Sequence, residues 1–186
     1  MKLLNSKTHF GIIAILFHWI TLAFLLVLYP IGYVMTDMAI SPDKLELYSW
    51  HKSIGFILLI LVILRLSWRI ISSPPPLPNS NPLLYRAIAL TIHLLLYVCL
   101  IVLPISGWLM SSAAGFKVVV FRTFELPDLI HTSDVLRIIL QEIHFIIGIV
   151  MLSLISAHIF AFLYHQFYKR DNIINRILPF FRNPSR

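Results

Sequence analysis

The sequence has 186 residues, of which 59% are hydrophobic and only 12% charged, and its mean hydropathy is +0.86. That balance excludes an ordinary water-soluble domain. A membrane-spanning helix takes about 20 mostly apolar residues, so the length accommodates roughly four spans with short connections and no separate soluble domain. The net charge of +7 and pI near 9.8 do not point to nucleic acid. In so apolar a chain, basic residues belong at the membrane faces as orientation signals. The single cysteine, Cys99, lies in an apolar stretch, which excludes an intramolecular disulfide and a C-x-x-C-H attachment motif.

The first predicted span, 10–35, is broken only by His18, Thr21 and Pro30. It is longer than a signal-peptide core, and no A-x-A-like site follows it. The second, 47–71, carries Arg65 and Arg69 near its end, where their stems can lift the charge to the headgroups. Pro74, Pro75, Pro76 and Pro78 then forbid further helix. The third span, 83–111, contains Pro104, an expected kink. A loop of about 20 residues with Lys117, Arg122, Glu125, Asp128 and Asp134 leads to the fourth span, 135–168, and to a basic tail with Lys169, Arg170, Arg176, Arg182 and Arg186. The expected fold is an all-α integral membrane four-helix bundle, residues 1–186 forming one transmembrane domain.

Ten of the fifteen Lys and Arg residues fall on the side of the termini and the second connection. The other side holds Lys44, Lys52, Lys117, Arg122 and Arg137, together with every acid except Asp171. The positive-inside rule therefore predicts that both termini are cytoplasmic.

Six of the eight histidines, His18, His51, His93, His144, His158 and His165, lie in or at the edge of spans, where a polar ring is costly and tends to serve function. His144 and His158 are 14 residues apart. That spacing turns the second ring by only about −40° and displaces it about 21 Å, so both face one way at two depths. Depth matches His18 with His158 on the inner side and His51 with His144 on the outer side. Two imidazoles on facing helices suit the axial ligation of a low-spin haem, so the pattern predicts two b-type haems, held without thioether bonds. A zinc site would need three or four ligands at one depth. Each proposed ligand has a small residue about one turn away: Ala14, Gly55, Gly148 and Ala161. His93 lies near the level of His18 and His158 and rivals them. His165 lies on the face of His158, about 10 Å nearer the cytoplasm, and spacing alone settles neither.

Phe17-His18-Trp19, His51 to Gly55, His93 through Leu103-Pro104-Ile105-Ser106-Gly107, and His144, Gly148, His158 and His165 together resemble the bacterial cytochrome b561 family. Lys169, Asp171-Asn172 and Leu178-Pro179 extend that resemblance over nearly the whole chain. The resemblance implies the four-helix fold, a bacterial inner-membrane location, two haems b, and the axial role for His18, His51, His144 and His158. It also implies a substrate class, because one member is a superoxide:ubiquinone oxidoreductase. Similar cytochromes instead take electrons from a hydrogenase or other dehydrogenase, and the scaffold alone does not distinguish the two.

Three functions are therefore weighed: a superoxide and ubiquinone oxidoreductase, an electron-transfer subunit docked to a dehydrogenase, and a transporter or structural protein without haem. On the first, superoxide reacts at the outer haem. Lys52, adjacent to His51, is the expected catalytic cation, with Lys117, Arg122 and Arg137 as further candidates for drawing in the anion. His93 and His165 are candidates for a quinone carbonyl or a haem propionate, and the aromatics Tyr164, Phe167 and Tyr168 could pack a quinone ring.

Overall fold

The computed structural model describes residues 2–76, 82–170 and 177. Pro78 and the tail positions Asp171, Asn172, Arg176, Leu178, Pro179, Arg182 and Arg186 lie outside these. Four long helices make up the fold: α1 (Ile12–Asp37), α2 (Pro42–Ile71), α3 (Leu83–Ala113) and α4 (Asp134–Leu163), the last continuing as a π-helical turn, Tyr164–Lys169. All are long and apolar enough to cross a membrane. Helices satisfy their backbone internally, as the bilayer requires. Hydroxyls within them do likewise: Thr21, Ser67 and Ser156 donate to carbonyls four residues back at 2.6, 3.0 and 2.9 Å.

The predicted spans match these helices, with differences at the ends that have local causes. α2 begins five residues early, where Ser41 caps the N–H of Lys44 at 3.2 Å, Pro42 fills the first turn and Asp43 complements the helix dipole. This start is polar, so hydropathy passes over it. α4 starts on a Ser133 cap that accepts from the Leu136 N–H at 3.3 Å. At the other face the N-terminal segment is tied to the end of α2. The Asn5 side chain donates to the Ser72 carbonyl at 2.6 Å and accepts from the Gly11 N–H at 2.8 Å. Gly11 permits the close approach, since a Cβ there would collide with the Leu3 carbonyl.

The connection expected as plain loop contains a hairpin, β1 (Val119–Val120) and β2 (Phe124–Glu125), with Val119 opposite Glu125 and Val120 opposite Phe124. Its turn residues Phe121 and Arg122 both have positive φ, 46° and 61°, and Thr123 N–H closes onto the Val120 carbonyl at 3.0 Å. This is type I′ geometry without the Asn or Gly that signals it in sequence. Tertiary contacts hold it. Buried Ser53 of α2 accepts from the Phe121 N–H at 2.9 Å, and Val118, Val120 and Leu126 pack on Phe56 and Trp108.

The main core is Leu25, Leu28, Leu58, Val62, Cys99, Leu100 and Met151. Leu25 follows His18 by seven residues, Leu58 follows His51 by seven, and Met151 stands seven from both His144 and His158. A seven-residue step keeps a side chain on one face about 10 Å along the helix. The apolar layer therefore stands midway between the two histidine levels. Close packing joins α1 to α2, α2 to α3 and α3 to α4, whereas α1 and α4 have little close backbone approach. Tyr29 of α1 nonetheless reaches α4, donating to the Gly148 carbonyl at 2.9 Å.

Candidate functional site

At the level predicted to be outer, the rings of His51 on α2 and His144 on α4 meet edge-on with centres 6.4 Å apart. Nδ1 of His144 lies 3.0 Å from the Leu103 carbonyl and 2.9 Å from Ser106 Oγ. A hydrogen bond from Nδ1–H to that carbonyl leaves Nε2 as the nitrogen with a free lone pair, the form in which a histidine binds metal. Gly107 and Gly32 make room for the rings: a Cβ at Gly107 would stand 3.0 Å from His144 Cε1, and one at Gly32 would stand 3.2 Å from His51 Cε1. Neither glycine stood out in the sequence as a support. The Ser106-Gly107 pair after Pro104 was the available signal.

At the level predicted to be inner, the ring centres of His18 on α1 and His158 on α4 are also 6.4 Å apart. His93 of α3 comes nearer still to His158, at 5.3 Å. His18 Nδ1 lies 3.2 Å from an Arg65 guanidinium nitrogen, and both Arg65 and Arg69 stack over the Tyr97 ring, at 5.2 and 5.7 Å. His165 lies further along the chain, after α4. It sits in the π-helical turn, edge-on to Tyr164 at 5.6 Å, while Tyr164 stacks on Tyr168 at 5.2 Å.

These distances bear on what the rings could hold. An iron between two imidazoles stands about 2 Å from each nitrogen, with each ring centre about 1 Å behind it, so axial pairs have centres about 6 Å apart. Both 6.4 Å pairs fit, and the 5.3 Å approach of His93 to His158 is too short. Gly55 and Gly148, one turn from His51 and His144, carry open space where a Cβ would meet no atom within 4 Å. A flat macrocycle needs such a face. His51 Nδ1 is buried beside the Leu28 carbonyl. Among the described residues, no three of His, Cys, Asp and Glu gather to hold a metal ion by themselves.

The four candidate steering cations differ sharply. Lys117 pairs with Glu125, Arg122 with Glu46 at 3.2 Å and Arg137 with Asp134 at 3.4 Å. The hydrogen bond and charge of Glu125 raise the Lys117 ammonium above the ordinary lysine range. Lys52 is half-buried, beside His51 in sequence, with its ammonium 5.9 Å over the Phe116 ring and no carboxylate partner among the described residues.

Four apolar membrane-crossing helices with facing histidines at two depths have the architecture of a multi-pass membrane cytochrome, a protein that transfers electrons. The chain belongs to the prokaryotic cytochrome b561 family, which it matches over residues 9–180. It is 31% identical to cytochrome b561 homolog 2 of Escherichia coli (strain K12) over 180 residues, covering 96% of this chain and 95% of that protein. Cytochrome b561 homolog 1 of the same organism is 25% identical over 166 residues, covering 87% and 92%. A probable superoxide oxidase, CybB, of Yersinia pestis is 25% identical over 130 residues, covering 69% and 73%. The protein is accordingly a multi-pass electron-transfer protein of the bacterial inner membrane, and its family implies b-type haem.

Proposed function

We propose that the chain, one transmembrane domain over residues 1–186 with both termini cytoplasmic, carries two haems b and oxidises superoxide at its outer face while reducing ubiquinone within the membrane. The observation that carries the haem reading is the pair of 6.4 Å ring separations at two depths, with His51 and His144 as outer axial ligands and His18 and His158 as inner ones. Bound there, haem would supply reversible one-electron chemistry. The chain's own groups orient the ligands: Leu103 and Ser106 hold the His144 ring, and Gly107 and Gly32 let the outer rings sit against their neighbouring helices. Two superoxide ions give up one electron each to become dioxygen, and one ubiquinone takes the two electrons with two protons to become ubiquinol. Lys52, the one of these four candidates without a carboxylate partner among the described residues, is the residue to attract the anion. His165, with Tyr164 and Tyr168 beside it in a π-helical turn, is the candidate quinone contact, since such turns recur at functional sites. His93, packed against His158, is the second candidate. The Yersinia pestis relative's name supports the superoxide reading.

A second reading, a haem subunit taking electrons from a docked dehydrogenase, is favoured by one observation. Three of the four candidate steering cations are already ion-paired, which weakens a steering field for a small anion. Haem content and low-spin spectra of single histidine-to-alanine variants test the ligand set. His18, His51, His144 and His158 variants each lose one low-spin haem, and His93→Ala keeps both. Two low-spin haems in His158→Ala would overturn the assignment. A superoxide pulse on the purified protein then separates the readings: a reduction rate far below the diffusion range, or one that does not fall with added salt, favours the dehydrogenase partner.

A further inference from the structure

We propose that Arg65 and Arg69, stacked on Tyr97, form a carboxylate clamp for the propionates of the inner haem, and that Arg65 exchanges His18 for a propionate when iron binds. This rests on the ligand reading above and extends it to residues outside the ligand set. The reasoning starts from donor capacity. A guanidinium only donates hydrogen bonds, so at 3.2 Å the His18 Nδ1 must accept, and the ring's proton then sits on Nε2. Iron and Arg65 are therefore rivals for His18. Ligation through Nε2 places the proton on Nδ1, which can no longer accept, and ligation through Nδ1 occupies that nitrogen outright.

Arg65, once displaced, still has a place to rest. It is half-buried within α2, and the face of Tyr97 lies 5.2 Å away. Arg69, one turn along α2 on the same face, shares that ring at 5.7 Å, so two guanidinium groups converge on one tyrosine. Neither has a carboxylate partner among the described residues, whose ion pairs all lie at the opposite face. Two cations converging at the end of a span are costly unless an anion completes them. A porphyrin held between His18 and His158 brings two carboxylates on its edge, and planar guanidinium groups recognise carboxylates in a paired geometry. Among the described residues the other histidine level has no such arginine pair.

The test uses the full-length chain depleted of haem and titrated with protohaem or with its dimethyl ester, which keeps the iron and ring but removes both carboxylates. The wild-type inner site should bind the acid at least about tenfold more tightly than the ester, the scale of one charge-assisted hydrogen bond. In the Arg65→Gln, Arg69→Gln double variant the ratio should fall toward one, while Arg65→Lys retains part of it and the outer site's ratio is unchanged throughout. The wild-type comparison needs no variant, so it decides even where a substitution disturbs folding. Equal affinity for acid and ester at a low-spin wild-type inner site would overturn the clamp while leaving the ligands standing, as would an unchanged ratio in the double variant. A low-spin inner haem that persists in His18→Ala would instead sink the ligand reading itself.

Discussion

Gly55 and Gly148 each follow a proposed outer ligand by one helical turn, and a Cβ at either position would meet no atom of the protein within 4 Å. Alanine at these positions should act with opposite sign on two measurable quantities. In the haem-free chain nothing collides with the methyl group, and replacing an interior helical glycine by alanine stabilises by up to about 1 kcal/mol. In the loaded protein the methyl stands on the face proposed to lie against the macrocycle. Carbon atoms pack at about 3.5–4.0 Å, so a methyl added to a face already in contact must push the macrocycle or the helix aside. Overpacking of this kind costs about 1–3 kcal/mol, a roughly 5- to 150-fold weakening of outer-haem binding. Thermal unfolding of the haem-free variants in detergent reads the first effect, and haem titration followed by the low-spin visible spectrum reads the second. Two haems bound with wild-type affinity in both Gly55→Ala and Gly148→Ala would refute a haem slot between α2 and α4. A loss of stability in the haem-free variants would show that the glycines serve helix packing.

Lys52→Gln should slow reduction by superoxide and flatten its salt dependence, whereas Lys117→Gln, Arg122→Gln and Arg137→Gln should each change the rate by no more than about twofold, because their charges are already paired at the exposed surface. Stopped-flow reduction at several ionic strengths checks this, and equal losses in all four variants would contradict it. Ser53→Ala removes the acceptor for the Phe121 N–H and should loosen the outer hairpin by about 1–3 kcal/mol, read as faster amide exchange at Phe121 with α2 unaffected. Wild-type protection there would mean that Val118, Val120 and Leu126 hold the hairpin without it.

The sequence by itself determined the spanning helices and the two depths. A run of apolar residues long enough to cross the bilayer has only one way to satisfy its backbone, so composition predicts helices and their number. The 14-residue interval between His144 and His158 likewise sets two levels on one face, because helical rise and rotation are local properties. Rotation about the helix axis and lateral distance between helices are not local, and here tertiary packing decided. Spacing left His93 level with His18, and the structure sets their rings at different separations from His158, 5.3 against 6.4 Å. The hairpin after α3 was invisible because Phe121 and Arg122 take left-handed backbone without the residues that favour it, held by Ser53 and a small apolar cluster. Charge counting in sequence offered four outer cations for superoxide, but the fold pairs three of them with acids and leaves Lys52. The contact of Arg65 with His18 joins residues 47 apart in sequence, and no helical periodicity on either segment could have announced it.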